Sequence, residues 1–151
     1  QKGINLPNMV IVGRKGWLSE DVYEMMTKDP ATKEKFVFLH NASDEELSWL
    51  YNNCLFSIYT SFYEGWGLPI AESIAYGVPC LSSNTSSMPE IAGDLINYFS
   101  PSSSDECLAV IQNLLRPSEL AIAKRRIKGY KQTDWDDTFS QVSSVLRRIS
   151  G

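Results

Sequence analysis

The sequence predicts an α/β fold in which helices cover both faces of a parallel sheet. Short runs rich in β-branched and aromatic residues alternate with amphipathic segments of helical length, and the connecting loops are short. This alternation is typical of right-handed β–α–β units, whose strands run parallel. A chain of 151 residues, 43% of them hydrophobic, can bury a sizeable core. We therefore expect residues 1–151 to form one domain around a contiguous sheet of about five strands.

The composition favours some functional classes and argues against others. A formal net charge of −4 gives no sign of a nucleic-acid-binding surface. Three widely spaced cysteines and a single histidine do not have the spacing of a metal site. No apolar run approaches the ~20 residues that span a bilayer, and no signal peptide is visible. We expect a cytoplasmic protein with reduced cysteines.

The first part of the chain contains two strand–helix pairs. The apolar residues 9–13 end in glycine and predict a buried parallel strand, and Ser19 is a plausible N-cap for a helix that ends near Lys28. Residues 36–39 predict the next strand. Ser43 and Glu46 have the spacing of a capping box, which predicts a helix over residues 44–52 with Leu47, Leu50 and Tyr51 on its apolar face.

The middle of the chain continues the alternation. Apolar runs predict strands at residues 54–59, 78–82 and 95–99. Pro69 suits the first position of a helix over residues 69–76 that ends at Gly77, and residues 89–93 predict about one helical turn. Apolar residues at helical spacing predict three further helices, at residues 105–115, 117–129 and 134–149.

One loop between a strand and a helix carries the clearest functional signal. Gly65 and Gly67 lie between Glu64 and Glu72, which are eight positions apart. Glycines allow the backbone to approach a ligand closely, and the following helix start offers N–H groups and a positive dipole end to an anion. We expect Glu72, in the first helical turn, to point at the group that carries the anion. A diphosphate beside a hydroxyl-bearing sugar fits this arrangement.

The same loop carries a family resemblance. Residues 64–79, E-G-W-G-L-P-I-A-E-S-I-A-Y-G-V-P, resemble the two-glutamate signature of retaining glycosyltransferases with the GT-B fold, family 4, group 1 type. Residues 87–93, S-M-P-E-I-A-G, give moderate support. The resemblance implies a Rossmann-like sheet that forms the C-terminal, donor-binding half of a two-domain hexosyltransferase. It also implies a nucleotide diphosphate sugar donor, a glycan or glycolipid acceptor, and polysaccharide biosynthesis.

The resemblance also implies roles for individual residues. Glu72 would accept hydrogen bonds from the two ribose hydroxyls, and Glu64 would hold a hydroxyl of the donor sugar, a hexose such as mannose. Backbone N–H groups of Gly65, Trp66, Gly67 and Leu68 would face the sugar and the diphosphate. Trp66 stands where family members often carry phenylalanine, and it either stiffens the loop by packing or contacts the sugar.

Other candidate donor-binding residues follow the first two predicted strands. They are Gly13, Arg14 and Lys15 after the first, and His40, Asn41 and Ser43 after the second. The resemblance implies that the second group lies by the nucleotide base. Because ligands bind at the carboxyl ends of parallel strands, we expect both groups, residues 59–68 and residues 82–85 to surround one crevice. His40 is more often a loop or core residue than a general base in such a position.

The resemblance leaves one role without a residue. Family members carry an arginine and a lysine upstream of the strand that residues 9–13 resemble, and these cations neutralise the leaving diphosphate. Arg14 and Lys15 are candidate substitutes, although loop cations are usually solvated. We expect the isolated chain to be inactive without the N-terminal half that binds the acceptor. We also expect it to self-associate, and the full-length protein to lie peripherally at the inner face of a membrane.

Three alternatives stay open from the sequence. The chain is a non-catalytic nucleotide-sugar-binding module, a sugar-nucleotide epimerase of the same fold, or a purely structural domain. No cofactor or metal is expected for the leading hypothesis. Asp134 and Asp136 have an Asp-x-Asp spacing, but they open a predicted helix and suit its cap and dipole.

Overall fold

The computed structural model describes residues 7–14, 16, 20–132 and 134–150, without the side chain of Ser150. The predicted N-cap Ser19 and the candidate ligand Lys15 lie outside these residues. The strands are β1 (Met9–Val12), β2 (Phe36–Leu39), β3 (Ser57–Tyr59), β4 (Cys80–Ser83) and β5 (Asn97–Phe99). The α-helices are α1 (Glu20–Lys28), α2 (Asp44–Asn53), α3 (Leu68–Ala75), α4 (Met88–Ala92), α5 (Ser104–Leu114), α6 (Pro117–Arg126) and α7 (Trp135–Ser150). Short 3₁₀ turns follow α4 and α6, at Gly93–Leu95 and Ile127–Gly129.

The chain divides into two compact units, Gln1–Leu50 and Tyr51–Gly151, and each is described by itself. Strands β1 and β2 form a parallel two-stranded sheet in the first unit, and β3, β4 and β5 form a parallel three-stranded sheet in that order in the second. The parallel pairing confirms the α/β prediction. The prediction of one contiguous sheet is wrong for the described residues, because β1 pairs there only with β2 and β3 only with β4.

The first unit is more open than the sequence predicts. Met9, Val10 and Val12 of β1 are 38%, 39% and 42% exposed, so the prediction of a buried strand is wrong. Within the described residues β1 has one strand neighbour, which leaves its other edge and much of its apolar surface uncovered. Helix α1 contacts β2 through Tyr23 and Phe38, whose ring centroids are 4.8 Å apart.

The sheet of the second unit is packed on both faces. Successive side chains of β4 point to opposite faces, as the pleat of a strand requires. Cys80 packs with α3 and α4 through Ile70, Ile74, Met88, Ile91 and other apolar residues. Leu81 packs on the other face with Phe99, Leu114 of α5 and Ala123 of α6. This confirms, for the second unit, that helices cover both faces of the sheet.

Several predicted boundaries differ from the observed ones. Residues 54–56 precede β3, because the three residues of β3 pair with Cys80–Ser82 of β4 and the ladder ends there. Pro79 precedes β4, and its carbonyl accepts a hydrogen bond from the N–H of Ser57. Residues 95 and 96 precede β5, since Leu95 belongs to a 3₁₀ turn.

Helix α3 begins one residue earlier than the sequence predicts. Leu68 is its first residue and Pro69 its second. An N–H group at the second position has no intrahelical acceptor, so proline, which has no N–H, is also tolerated there. Glu72 consequently lies just beyond the first turn, so its placement within that turn is wrong. The helix ends at Ala75, and Gly77, with a φ of +74°, allows the N–H groups of Gly77 and Val78 to bond the carbonyls of Ile74 and Ser73.

Candidate functional site

The loop between β3 and α3, residues 60–67, carries the two-glutamate motif and lies at the carboxyl end of the second sheet. Gly67 ends this loop with a φ of +152°, and a Cβ atom there would lie 2.8 Å from Cδ1 of Ile91. The positive φ therefore favours glycine at this position, and the contact with the end of the Ile91 side chain adds to the crowding. A Cβ atom on Gly65 would meet no protein atom within 4 Å, so packing against the described residues does not require that glycine.

Four successive backbone N–H groups, three at the end of this loop and one at the start of α3, face no acceptor in the part of the chain that the structure describes. They belong to Gly65, Trp66, Gly67 and Leu68. The side chains of Trp66 and Leu68 are more than half exposed. Consecutive unpaired N–H groups before and at a helix start form an arrangement that can bind an anion.

Glu64 is a partly exposed carboxylate with two hydroxyl partners. The hydroxyl of Ser61 donates to its Oε1 atom at 2.7 Å. This bond, followed by one from the Tyr59 hydroxyl, holds the pKa of Glu64 below its usual value. Burial, followed by the hydrogen bond to Glu64, raises the pKa of Tyr59 to about 12. Glu64 is thus an ionised acceptor whose orientation is set by neighbours.

Glu72 also accepts a hydrogen bond from the hydroxyl of a neighbouring tyrosine. The hydroxyl of Tyr51, at the end of α2, donates to Oε2 of Glu72 at 3.2 Å. Burial, and then the negative charge of Glu72, raises the pKa of Tyr51 far above its usual value, so the phenol stays protonated. A carboxylate has about four lone-pair sites, and this bond uses one of them. The rest of Glu72 is available to other donors.

The first unit groups the remaining candidates at the carboxyl ends of β1 and β2. The Nδ1 atom of His40 lies 3.2 Å from the carbonyl oxygen of Gly13. The N–H of Gly13 donates in turn to the carbonyl oxygen of Leu39. The His40 ring stacks on Phe38 at 6.3 Å between centroids. Arg14 and Asn41 are exposed. The expectation that this group and the 60–67 loop surround one crevice stays a prediction.

Ser43 has a structural role that the sequence predicts correctly. Its N–H donates to Oε2 of Glu46 at 2.8 Å, and its hydroxyl accepts from the N–H of Glu46 at 3.2 Å. Both halves of the capping box at the start of α2 are therefore present. Asp134 likewise caps α7, since its Oδ1 atom accepts from the N–H of Asp137 at 2.7 Å.

The family assignment rests on a match that covers most of the chain. The family model described as "Glycosyl transferases group 1" matches residues 4–132. The chain belongs to the group 1 glycosyltransferase family. The resemblance of residues 64–79 to that family is thereby confirmed.

Two mannosyltransferases are among the curated proteins that this chain resembles. The O-antigen chain mannosyltransferase B of Escherichia coli is 33% identical over 144 residues, which cover 93% of this chain and 37% of that protein. The MMP alpha-(1->4)-mannosyltransferase of Mycolicibacterium hassiacum is 37% identical over 112 residues, which cover 70% of this chain and 27% of that protein. The chain thus spans well under half the length of either relative.

Solved structures show the same fold. HepE of Anabaena, in complex with UDP, superposes with a TM-score of 0.69 at 19% identity, over 94% of this chain and 41% of that chain. This likeness confirms a Rossmann-like parallel-sheet architecture of the type found in GT-B glycosyltransferases. None of the helices in the described residues combines the length and the hydrophobicity of a membrane span.

Some site residues are not found by reading the motif. Tyr51 is predicted only as part of the apolar face of α2, and Tyr59 only as part of a strand. The sequence predicts that residues 82–85 lie beside residues 59–68, and the bonds from Ser83 to Ser61 and from Thr85 to Phe62 agree with that placement. The hydrogen bonds of Ser61, Ser86 and Ser87 with Glu64 are not predicted. The signal in the sequence is limited to the run of hydroxyl residues T-S-S at positions 85–87, which has no helical or strand period.

Proposed function

We propose that this chain binds the nucleotide diphosphate sugar donor of a group 1 glycosyltransferase, for transfer with retention to a glycan or lipid-linked acceptor. The supporting observation is the 60–67 loop, where an oriented carboxylate, Glu64, is followed by four unused N–H groups. A cytoplasmic location, and peripheral association of the full-length protein with a membrane, belong to the same hypothesis.

The nucleoside is held by Glu72. Its carboxylate follows the N–H groups by one helical turn and is oriented by the Tyr51 hydroxyl. Two ribose hydroxyls on a charged acceptor form bonds worth on the order of 1.5–3 kcal/mol each. The N–H groups of residues 65–68 bind the diphosphate oxygens, since anions favour unpaired N–H groups at a helix start.

The donor sugar is held by Glu64. Its lowered pKa keeps the carboxylate charged, and charged acceptors bind hydroxyl donors more strongly than neutral ones. We assign mannose as the sugar, because the relatives from Escherichia coli and Mycolicibacterium hassiacum are both described as mannosyltransferases. Donor binding is proposed to need no metal ion, as the sequence leads us to expect.

Calorimetric titration with UDP, GDP and ADP tests nucleotide binding and identifies the base. We expect the chain to prefer one nucleotide. Glu72→Ala should weaken the binding free energy of that nucleotide by about 2 kcal/mol or more, because the ribose loses a charged acceptor. Glu106→Ala removes an exposed acid from the first turn of α5 and serves as the control. Equal binding by the wild-type chain and Glu72→Ala would exclude the ribose role.

The mannose conjugate of the preferred nucleotide tests the role of Glu64. We expect Glu64→Ala to lower the affinity for the conjugate and to leave the affinity for the free nucleoside diphosphate nearly unchanged, because Glu64 contacts only the sugar. Equal weakening of both ligands would mean that the substitution disrupts the loop. Titration in the presence of EDTA checks metal independence.

A further inference from the structure

The β4–α4 loop, residues 84–87, fastens the 60–67 loop through a series of hydroxyl bonds. The hydroxyl of Ser83, the last residue of β4, donates to the carbonyl of Ser61, and that of Thr85 to Phe62 at 2.9 Å. The Ser86 and Ser87 hydroxyls both donate to the carbonyl of Glu64, at 2.7 and 2.9 Å. Glu64 thus receives two of these bonds on its main chain.

Ser86 contacts both main-chain polar groups of Glu64. Besides donating to the carbonyl, its hydroxyl accepts from the Glu64 N–H at 3.3 Å. Ser86 is also the only non-glycine residue with a positive φ, +55°, in the part of the chain that the structure describes. Side chains larger than hydrogen disfavour that backbone region, so the serine conformation costs free energy. The two hydrogen bonds to Glu64 offset that cost.

We infer that Ser86 is a positioning residue for Glu64, and that through Glu64 it sets the affinity for the donor sugar but not for the nucleotide. The inference rests on the proposed function, in which Glu64 binds that sugar. The main chain of Glu64 is fixed by Ser86 and its carboxylate by Ser61, so both ends of the residue are held. A shift of about 1 Å in such a group can cost about 100-fold in a rate.

Two substitutions separate the hydroxyl of Ser86 from its backbone conformation. Ser86→Ala removes the hydroxyl and keeps a side chain that disfavours a φ of +55°. Ser86→Gly removes the hydroxyl and accepts that φ without strain, so its effect on Glu64 reports the lost hydroxyl alone. We therefore expect Ser86→Gly to be at least as stable as Ser86→Ala in thermal unfolding.

Calorimetry of all variants uses the preferred free nucleoside diphosphate and its mannose conjugate. We expect both Ser86 variants to bind the free nucleotide within about two-fold of the wild-type chain, and to bind the conjugate about ten-fold less tightly. Thr85→Val removes a hydroxyl that bonds Phe62 instead of Glu64, and we expect a smaller loss. Wild-type affinity for the conjugate in Ser86→Gly, an equal loss for both ligands, or an equal loss in Thr85→Val would each overturn the inference.

A measurement without ligand separates this inference from the proposed function. Carboxyl ¹³C NMR titration reports the pKa of Glu64, which the Ser61 hydroxyl holds below its usual value. If Ser86 positions Glu64, both Ser86 variants will weaken that contact and the pKa will rise toward the ordinary value. An unchanged pKa would contradict the positioning role even if nucleotide binds, and a raised pKa would support it even if nucleotide does not bind.

Discussion

Tyr51 illustrates how a core residue can orient a candidate ligand at the scale of a single side chain. Its ring is buried and stacks on Tyr76 at 5.1 Å between centroids, while its hydroxyl reaches Glu72, 21 positions away. Periodicity predicts the buried ring, because that depends on the face of α2. The hydroxyl contact depends on how α2 packs against α3, which no local pattern encodes.

We predict that Tyr51→Phe weakens nucleotide binding without disrupting the fold. The ring packing is kept, but Glu72 loses a donor, and a net contribution of about 0.5–1.5 kcal/mol is typical of such a bond. Calorimetry should show a loss of affinity of that order, and denaturant unfolding a similar loss of stability. Tyr98→Phe is the matched control, since its hydroxyl bonds the carbonyl of Met88 instead. Unchanged affinity in Tyr51→Phe would contradict the orienting role.

We predict that alanine substitutions at the two glycines of the loop have different effects. Gly67→Ala places a Cβ atom 2.8 Å from Ile91 Cδ1 at a φ of +152°, so we expect a loss of about 1–3 kcal/mol in unfolding free energy. Gly65→Ala meets open space and should leave stability nearly unchanged. If ligand approaches there, Gly65→Ala should nevertheless reduce nucleotide-sugar affinity. Thermal unfolding and calorimetry distinguish the two, and a stable Gly67→Ala would contradict the steric argument.

At the scale of elements, the sequence is most informative where a local signal exists. The capping box of Ser43 and Glu46 predicts the start of α2, and the glycine at position 77 predicts the end of α3. Strand lengths are less predictable, because a strand ends where its neighbour ends. The apolar residues 54–56 satisfy the pattern of a strand, yet only Ser57–Tyr59 pair with β4.

The same distinction applies to the candidate site. The two-glutamate motif predicts where the carboxylates lie, since strand, loop and helix are consecutive in sequence. The hydroxyl bonds from Thr85, Ser86 and Ser87 join residues 21–23 positions apart and arise from the packing of neighbouring β–α units. Such tertiary contacts have no sequence period, so they are seen only in the structure.

We predict that Ser43→Ala destabilises α2 by about 1 kcal/mol, because the N–H of Glu46 loses its capping acceptor. Glu46→Gln keeps an acceptor for the N–H of Ser43 and should cost less. Denaturant unfolding of both variants measures the difference. If Ser43→Ala also weakens nucleotide binding while Glu46→Gln does not, Ser43 contacts the donor as the sequence predicts. Equal stability of Ser43→Ala and the wild-type chain would contradict the capping role.

At the scale of the whole molecule, the most prominent surface feature is the apolar face of α7. Trp135, Phe139 and Ile149 are 87%, 72% and 77% exposed, and Val142, Val145 and Leu146 on the same side are more than half exposed. Six large apolar side chains on one helix face exceed the scattered exposure that is normal for a monomer. Apolar residues of β1 and α1 are also exposed.

We predict that this chain self-associates through the apolar face of α7. Phe139→Asp places a charge on this apolar face and should shift the sedimentation equilibrium toward monomer, because burying an unpaired carboxylate is unfavourable. Ser144→Asp is the matched control: it adds the same charge to the same helix, about 140° away from Phe139 around its axis. Self-association lost in both variants would indicate a general effect of charge, and a wild-type chain that stays monomeric at every concentration would exclude the interface.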